Sequence, residues 1–580
     1  MTPKRWIYKP LPQTPEETAT IAALAKAVNI NPFLATLLWQ RGISDYDEAK
    51  TFFRPELSQL HDPFLMKDMD LAVARLEEAF GNGEKILIYG DYDVDGTTSV
   101  ATFYGFLCGY YDPSLLGFYI PDRYKEGYGV QQTGIDFAKE NGFSLIVTLD
   151  CGIKSVELVA YAKSLDIDFI ICDHHRPGHD LPPAVAVLDP KRDDCLYPFK
   201  ELTGCGVGFK LLQAFCRKNG IDEVSKVFPY LDLLVVSIAA DIVPIVGENR
   251  VMSHFGLKKI NASPRTGLKA LMEIASLKGK IDITGVVFGL SPRINAAGRI
   301  RHANDAVNLL LAEKEQAASD FAYEINKHNT DRKGHDSRIT QEALTMIEED
   351  DALKNANSTV LFRNDWHKGV IGIVASRCIE QYHRPTIILT ESNGHAAGSA
   401  RSVPGFDVYD AIEACAEHLI QFGGHTFAAG LTLELDQIEN FRKKFEEVVS
   451  GSILPEQLSP MITIDMKLPL GQITEKFFKI LEQMQPFGPQ NMTPTFVAEN
   501  VQLKGNPRIL KEKHLKLDVF QEGSAVFGAI GFGMADFYEP LLAGQSFDIC
   551  YQIEVNEFRG ERNLQLMLKD IKVKDDFSER

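Results

Sequence analysis

Cysteine is scarce in this sequence, and the cysteines present do not form a known metal or redox motif. The 580 residues include 9 cysteines, and no two of them are spaced as Cys-x-x-Cys. So few scattered cysteines exclude a disulfide-stabilised scaffold, and the missing pair spacing excludes a zinc ribbon or a thioredoxin-like dithiol. We therefore expect the protein to work in a reducing compartment, the cytoplasm.

Long apolar runs are also absent. The most apolar stretch, residues 233–246, is short and is interrupted by Asp241. The N-terminus, Met-Thr-Pro-Lys-Arg-Trp, lacks the apolar core of a signal peptide. Because a membrane-spanning helix needs about 20 apolar residues, we expect no signal peptide, no membrane span and no membrane partner.

Positive charge is in deficit. The 61 Lys and Arg residues against 79 Asp and Glu residues give a formal net charge of −18. A molecule with this charge repels polyanions as a whole, so a nucleic acid would have to meet local basic patches. The hydrophobic content of 45% is ordinary, and at about 150 residues per domain the length predicts three or four globular domains.

The order of apolar patterns divides the chain into five segments. Residues 1–66 have the pattern of short helices, and residues 67–304 alternate strand and helix patterns, which is typical of a parallel sheet covered by helices. A polar helical connector is predicted over 305–349, and a second α/β domain over 350–455. Residues 456–580 contain the short alternating strands of a small β-barrel. The predicted fold class is therefore α/β with a C-terminal β-barrel.

Aspartate follows four of the predicted strands in the first α/β domain. These residues are Asp91, Asp150, Asp173 and Asp189. Ligands of open parallel sheets bind outside the carboxyl ends of the strands, so these side chains are expected to face one crevice.

The first of these aspartates begins an acidic loop, Asp91-Tyr-Asp93-Val-Asp95-Gly. Its alternating carboxylates repel one another unless a cation lies among them, and the alternative is a solvated turn. An EF-hand is a poor explanation, because residues 99–102 occupy the place of its closing acid.

Two histidines, His174 and His175, follow the third strand-end aspartate. Alone they would be explained as a hydrogen-bonded structural pair. Carboxylates with imidazole and without thiolate suit Mn²⁺ or Mg²⁺ better than structural zinc. Asp241, inside an apolar run, is costly to bury without a partner. We predict two divalent cations for phosphoryl transfer, matched in charge by four acids: Asp93, Asp95, Asp150 and Asp241.

A set of motifs in order along the chain resembles the DHH phosphoesterase superfamily. The motifs are YGDYDVDG (89–96), TLDCG (148–152), CDHHRP (172–177), SIAAD (237–241), SPRINAAGR (291–299) and GGHTFAAG (423–430). The resemblance implies a DHH catalytic domain, a DHH-associated substrate-binding domain at 350–455 and an oligonucleotide-binding (OB) barrel at 456–580. It also implies an exonuclease specific for single-stranded DNA, which hydrolyses from 5′ to 3′, releases 5′-mononucleotides and acts in DNA repair and recombination.

The resemblance assigns the metal ligands residue by residue. Asp93 and Asp95 would bind the first and the second cation, and Asp150 would bridge both. His174 and Asp241 would complete the second site.

The same resemblance gives roles to the neighbouring groups. His175 would face the scissile phosphate, and Asp173 would orient the two histidines from behind. Asp91 is open between a ligand and a supporting group.

Contacts to the DNA strand are expected from local clusters of cations, rings and glycines. The candidates are Arg123, Tyr128, Arg293, Arg299, Ser399, Arg401, Gly424 and His425. Arginines bind phosphates, tyrosines stack on unpaired bases, and Ser399 with Arg401 suits a terminal phosphate. The alternatives are helix capping for the arginines, core packing for the tyrosine and a tight turn for the glycine-rich segment.

Two further segments are weaker candidates for strand contacts. The segment 366–369 (WHKG) lies in the second α/β domain, and the basic run 504–517 lies in the barrel. A solvated face is the alternative for a charge run.

Two other functions remain open at this point. One is a DHH hydrolase of small substrates, and the other is a non-catalytic DHH scaffold that binds DNA. By analogy with the superfamily, we expect a monomer that works with single-strand-binding protein and a RecQ-type helicase.

Overall fold

The computed structural model describes residues 4–542, 546–558 and 560–573. The described residues form two compact units. One unit is Leu57–Leu458, and the other combines the residues up to Glu56 with those from Ser459 onward. The sequence patterns separated 1–66 from 456–580, whereas packing places most of these residues in one unit.

The helices and strands follow in chain order. The N-terminal region contains β1 (Arg5–Tyr8), α1 (Pro15–Val28), α2 (Pro32–Trp39) and α3 (Tyr46–Phe53). The first α/β domain contains α4 (Met69–Asn82), β2 (Ile86–Gly90), α5 (Val94–Cys108), β3 (Leu116–Tyr119), α6 (Gln132–Glu140), β4 (Leu145–Leu149), α7 (Val156–Ser164), β5 (Asp168–Cys172), β6 (Ala186–Leu188), α8 (Gly204–Lys218), α9 (Glu223–Lys226), α10 (Leu231–Ala240), α11 (Gly247–Ala262), α12 (Thr266–Ile274), α13 (Ile283–Gly285), α14 (Ser291–Ile300) and α15 (Asn304–Leu311). The connector and second α/β domain contain α16 (Glu315–Glu349), α17 (Asp351–Asn355), β7 (Thr359–Phe362), α18 (Ile371–Tyr382), β8 (Thr386–Ser392), β9 (His395–Arg401), α19 (Val408–Glu413), β10 (Gln421–His425), β11 (Ala428–Leu433) and α20 (Ile438–Ser452). The C-terminal region contains β12 (Met461–Ile464), β13 (Met466–Lys467), α21 (Glu475–Gln483), β14 (Phe496–Leu503), β15 (Arg508–Leu510), β16 (His514–Phe520), β17 (Phe527–Gly531), α22 (Tyr538–Leu542), β18 (Phe547–Phe558) and β19 (Glu561–Val573).

The first α/β domain is built on a parallel sheet of strand order β3-β2-β4-β5-β6. Alternate residues of its strands enter two different cores: Ile86 and Ile88 face one, and Leu87 and Tyr89 face the other. Both faces are therefore covered, as in parallel sheets generally. The predicted helix-covered parallel sheet is confirmed. The sequence patterns missed β3, a short edge strand that is only partly buried.

The second α/β domain has a mixed sheet of strand order β10-β11-β9-β8-β7, in which only β7 and β8 pair in parallel. The long helix α16 joins the two domains. It buries Ile325 in the core of the first domain, and Ile339 and Ile347 in a cluster with Leu361 of β7. The connector is thus packed against both domains along its length.

The other unit contains a barrel. Its strand order is β13-β14-β18-β19-β17-β16-β15, and a further pairing of β14 with β16 closes a ring of five strands. The N-terminal helices share its core, because Leu34, Leu37 and Leu38 of α2 lie in one cluster with Phe477 and Leu481 of α21. Strand β1 pairs in parallel with β12.

No single helix in the described ranges is long and apolar enough to cross a membrane. The bent pair of α1 and α2 meets the same test of length and composition when the two are taken together.

Candidate active site

The carboxyl ends of the parallel strands bring four acids to one edge of the first sheet. Asp91 follows β2, Asp150 follows β4, Asp173 follows β5 and Asp189 follows β6, and all four are buried. This is the arrangement that the strand-end pattern predicts.

An imidazole lies at the centre of the acidic cluster. Nε2 of His174 is 3.2 Å from Oδ1 of Asp150, and 3.7 Å from Oδ2 of both Asp95 and Asp241. Two sets of three side chains have ligand atoms within 4.8 Å of one another: Asp95, His174 and Asp241, and Asp150, His174 and His175. Both ring nitrogens of His174 are buried without a hydrogen-bond partner in the described part of the chain. A buried imidazole with free nitrogens among carboxylates fits a hard divalent cation.

Asp95 is fixed by the start of α8 and by α10. Its carboxylate accepts hydrogen bonds from the backbone N–H groups of Gly204 (2.7 Å) and Cys205 (3.0 Å), and from the Ser237 hydroxyl (2.7 Å). The end of α10, which carries Ser237, also presents Asp241. The SIAAD motif therefore both holds one acid and supplies another.

The three aspartates of the acidic loop have different surroundings. Asp93 caps α5 by accepting from the Gly96 N–H (3.1 Å), and it lies outside the two sets of three ligands. Asp91 is buried, and its Oδ1 has no hydrogen-bond partner among the residues that the structure describes.

Burial and mutual repulsion dominate the electrostatics of the cluster. Burial, followed by the negative charges of Asp95 and Asp93, raises the pKa of Asp150 well above its usual range and raises the pKa of Asp241 to about 8. Burial lowers the pKa of His174 to about 4. Asp241 therefore keeps its proton near neutral pH unless a cation compensates it, and the donor set of carboxylates and neutral imidazole fits two divalent cations.

His175 is held from two sides. Its Nδ1 lies 2.7 Å from Oδ1 of Asp173, and its Nε2 lies 3.2 Å from the Tyr128 hydroxyl, which donates to the Asp150 carbonyl oxygen at 3.1 Å. Although burial opposes it, the hydrogen bond to Asp173 raises the pKa of His175 to about 9. Asp173 also accepts from the backbone N–H groups of His174 (2.7 Å) and Ile153 (2.9 Å). Asp173 thus fixes the ring of His175 and the backbone of His174.

A pocket of about 580 Å³ lies between the two α/β domains, and we call it the cationic pocket. Its lining includes Tyr92, Arg123, Tyr124, Tyr128, Arg299, Lys368, Gly369, Ser399, Arg401 and Gly424. None of its four cations forms an ion pair with a carboxylate within the described ranges. Burial and the neighbouring guanidinium groups lower the pKa of Arg299 to about 10. Clustered cations without acids favour an anionic ligand.

The contacts of two of these arginines link segments that are distant in sequence. Nη1 of Arg401 donates to the Ser399 hydroxyl (3.0 Å) and to the Ala400 carbonyl (2.7 Å). Nη1 of Arg299 donates to the Gly369 carbonyl (3.0 Å), and the Tyr124 hydroxyl donates to the Arg299 carbonyl. The segment 366–369 therefore contributes to the pocket through Lys368 and Gly369.

Two of the predicted DNA contacts lie elsewhere. Arg293 donates to the Gly289 carbonyl (2.6 Å) and to Asn326 (3.0 Å), so it ties α14 to α16 and does not line the pocket. His425, on β10, is also outside the lining. Burial and then the positive charges of Lys154 and His175 lower its pKa. The other predicted contacts, Arg123, Tyr128, Arg299, Ser399, Arg401 and Gly424, all line the pocket.

Sequence reasoning did not select Tyr92 or Lys191, and it placed Asp189 in the crevice without giving it a role. Tyr92 lies between two selected aspartates, so it could have been found from position alone. The Lys191 N–H donates to Asp189 at 2.7 Å, and the Lys191 charge contributes to lowering the pKa of Asp241 against the dominant effect of burial. A lysine two residues after a strand-end acid is too weak a signal to find by sequence.

Comparisons with known proteins match this geometry. The DHH family N-terminal domain matches residues 85–238, the DHHA1 domain matches 355–451 and the RecJ OB domain matches 464–570. The single-stranded-DNA-specific exonuclease RecJ of Bacillus subtilis is 36% identical over 559 residues, which cover 96% of this chain and 70% of that protein. The chain belongs to the RecJ family. The RecJ of Escherichia coli is 33% identical over 581 residues, covering 96% of this chain and 97% of its own length.

Solved RecJ structures agree with the fold. RecJ from Thermus thermophilus in complex with Mn²⁺ aligns with a TM-score of 0.83 at 26% identity, over 98% of this chain and 80% of that one. The Mg²⁺ complex of RecJ from the same organism aligns with a TM-score of 0.77 at 25% identity, over 98% of this chain and 79% of that one. These matches confirm the predicted family, the α/β fold with a C-terminal OB barrel, and Mn²⁺ or Mg²⁺ as the cofactor of RecJ proteins.

Proposed function

We propose that this protein is a metal-dependent exonuclease specific for single-stranded DNA, which hydrolyses from the 5′ end, releases 5′-mononucleotides and acts in DNA repair and recombination. One observation carries the proposal: Tyr128 lines the cationic pocket and its hydroxyl lies beside His175 in the metal-ligand cluster. A site for an anionic chain end therefore adjoins a site for phosphodiester hydrolysis.

The metal ligands in this proposal are the predicted five. Asp93 and Asp95 would hold one cation each, Asp150 would be shared by both, and His174 with Asp241 would complete the second site. When bound, two divalent cations activate the attacking water and stabilise the charge that develops on the phosphate. With its pKa raised to about 8 by burial and then by neighbouring acids, Asp241 would give up its proton on binding a cation.

His175 acts on the phosphate in this proposal. Asp173 holds the Nδ1 side of the ring and Tyr128 holds the Nε2 side, so the ring keeps one orientation. With its pKa raised to about 9 by the hydrogen bond to Asp173 against the effect of burial, the imidazole holds a proton at neutral pH that it can donate toward a phosphate oxygen.

The cationic pocket sets the polarity in this proposal. Arg401 and Ser399 with Arg123 and Arg299 receive a 5′-terminal phosphate, and cleavage at the adjoining cluster removes the end nucleotide. Tyr128, with half of its surface exposed (50%), offers a ring on which an unpaired base stacks. Paired bases cannot use this contact, which supports selectivity for single strands.

The cellular setting extends the proposal. All nine cysteines are free thiols, which supports a reducing cytoplasm. We infer that the protein acts as a monomer on ends supplied by a RecQ-type helicase and covered by single-strand-binding protein.

Labelled oligonucleotides test the proposal directly. Single- and double-stranded substrates, with and without a 5′ phosphate, are incubated with Mn²⁺, Mg²⁺ or a chelator. We expect mononucleotides from the 5′ ends of single strands only, and no product with chelator. Digestion from the 3′ end or a preference for duplex would contradict the proposal.

Two variants test the catalytic cluster. We expect Asp150→Asn and His174→Ala each to lower activity by more than about 100-fold, since loss of groups that merely support metal ligands already costs about 10- to 100-fold. Matched controls lie in the exposed loop beyond β5: Asp180→Asn and His179→Ala, whose side chains are 78% and 97% exposed, should leave activity unchanged. Faster turnover of a dinucleotide than of a long oligonucleotide would instead favour a small-substrate DHH hydrolase, and full activity in both cluster variants would favour a scaffold.

A further inference from the structure

Tyr92 lies in the acidic loop between Asp91 and Asp93, and its side chain lines the cationic pocket. The guanidinium carbon of Arg123 lies 4.7 Å from the centre of the Tyr92 ring. On another side, the Tyr128 ring meets the Tyr92 ring edge-on, with centroids 6.5 Å apart and planes at 80°. One aromatic ring therefore touches a cation of the pocket and the tyrosine that holds His175.

The Tyr92 ring is the support that holds Arg123. The Arg123 guanidinium makes neither an ion pair nor a hydrogen bond with any residue that the structure describes. A guanidinium over an aromatic face is stabilised electrostatically while its N–H groups remain available. Arg123 is thus held in the pocket with its donors free for a ligand.

The contact depends on the ring and not on the hydroxyl of Tyr92. That hydroxyl has no hydrogen-bond partner within the described ranges, whereas the Tyr128 hydroxyl binds the Asp150 carbonyl and lies beside His175. The two tyrosines therefore have different tasks, and phenylalanine should replace Tyr92 but not Tyr128.

The backbone of Tyr92 is also fixed. A Cβ atom at Gly298 would lie 2.6 Å from the Tyr92 carbonyl oxygen, so α14 can approach the loop this closely only with glycine there. The next residue, Arg299, is itself a cation of the pocket. The acidic loop is consequently in contact with the pocket through both Arg123 and α14.

We propose that Tyr92 is a positioning residue that couples the cationic pocket to the metal-ligand loop, so that hydrolysis depends on a phosphorylated chain end. A terminal phosphate bound by Arg123 draws that guanidinium into one orientation on the Tyr92 ring. The ring in turn fixes the loop that bears Asp93 and the Tyr128 side chain beside His175. This inference rests on the proposed function, because it takes the pocket to receive the 5′ end.

The test compares single-stranded oligonucleotides with a 5′ phosphate and a 5′ hydroxyl, using the full-length protein with Mn²⁺. For wild type, Tyr92→Leu and Tyr92→Phe, kcat and KM are measured on both substrates, and Mn²⁺ affinity is measured by calorimetry. In Tyr92→Leu we expect the preference for the 5′ phosphate, the ratio of the two kcat/KM values, to fall roughly 5- to 30-fold, the size of a desolvated cation–π contact. Tyr92→Phe should retain the preference, and Mn²⁺ affinity should stay within about twofold throughout.

A double-mutant cycle isolates the contact. Arg123→Met should lose the preference, and Tyr92→Leu combined with Arg123→Met should lose no more than Arg123→Met alone. Tyr46→Leu, at a tyrosine of α3 that is 54% exposed, is the matched control and should match wild type. Tyr92→Met, which keeps a long side chain without a ring, serves if Tyr92→Leu does not fold.

The outcomes separate this inference from the proposed function. If wild type prefers the 5′ phosphate and the Tyr92 variants without a ring keep that preference, the inference about Tyr92 is wrong, whereas the proposed 5′-phosphate pocket is supported. Equal losses on both substrates together with weaker Mn²⁺ binding would mean a purely structural role and would also overturn it. If wild type itself has no preference, the terminal-phosphate pocket fails and the inference falls with it.

Discussion

Asp150 combines a strained backbone with a buried charge. Its φ is 64°, in the left-handed region that few residues other than glycine adopt, at a cost of about 1–3 kcal/mol. The conformation is held by hydrogen bonds on both sides: its N–H donates to the Cys172 carbonyl (2.9 Å), and its own carbonyl accepts from Tyr128 (3.1 Å). The surrounding contacts offset the strain, and the result is a carboxylate aimed at His174.

Metal binding should release protons at this cluster. Burial and then neighbouring acids raise the pKa of Asp150 above its usual range and raise that of Asp241 to about 8, so Asp241 carries a proton near pH 7 without cations. Carboxylates must be ionised to bind a metal, so Mn²⁺ affinity should rise as the pH is raised from about 6 to about 9. The number of protons released on Mn²⁺ binding should fall over the same range. Calorimetry in two buffers of different ionisation enthalpy measures the proton count, and a heat independent of the buffer at about pH 7 would contradict the expectation.

The start of helix α8 binds the carboxylate of Asp95 and packs against Asp150. Thr203 caps it by accepting from the Gly206 N–H (3.1 Å), which leaves the N–H groups of Gly204 and Cys205 free for Asp95. A helix start carries partial positive charge, so a carboxylate is stabilised there. Only glycine fits at position 204, because a Cβ atom there would lie 2.5 Å from Cβ of Asp150.

Replacing this glycine should disturb two of the proposed metal ligands at once. In Gly204→Ala, the new methyl group forces α8 away from Asp150 and weakens its hold on Asp95, so we expect Mn²⁺ affinity to fall at least about 10-fold. Gly334→Ala is the matched control in α16, where a Cβ meets nothing within 4 Å. It should leave Mn²⁺ binding unchanged and raise stability by about 0.5–1 kcal/mol. Equal Mn²⁺ affinity in Gly204→Ala and wild type would show that the close contact is not needed.

The whole molecule is organised as a discontinuous unit and a continuous one. The described residues up to Glu56 are far in sequence from the barrel, yet α2 fills the same core as α21. Loop-closure entropy rises only slowly with chain length, so a long insertion between two parts of one core is tolerated. The Leu57–Leu458 unit, with both halves of the candidate site, is such an insertion.

A core substitution in the N-terminal helices should therefore loosen the barrel. Leu37 is fully buried, and Leu37→Ala should destabilise this unit by about 2–5 kcal/mol. Limited proteolysis of the full-length protein should then cut beyond Ser459 earlier than in wild type. Leu71→Ala, at a leucine of α4 that is 48% exposed, is the control. Cleavage confined to the segment before Leu57 would argue against a shared core.

Local patterns in the sequence determined the main strands and helices and the cluster of acids and histidines at the sheet edge. The alternation of apolar runs predicted the parallel sheet, and a parallel sheet must bring the carboxyl ends of its strands to one edge. Asp91, Asp150, Asp173 and Asp189 therefore had to meet, whatever the rest of the fold. The acidic loop added Asp93 and Asp95, and the resemblance assigned these two, with Asp150, His174 and Asp241, as the expected metal ligands.

Only the tertiary structure decided which distant groups share a surface. Arg123, Arg299 and Arg401 come from three separate segments, and their convergence in a pocket without acids reverses what the net charge of −18 suggests. The sequence also could not predict three other contacts: that of Tyr92 with Arg123, that of Arg293 with Asn326, and the packing of α2 in the core of the barrel. The physical reason is that hydrophobic periodicity is a local property, which shows only which face of one helix or strand is buried. The segment that packs against that face can lie hundreds of residues away in the sequence, and only the packing of the folded chain determines it.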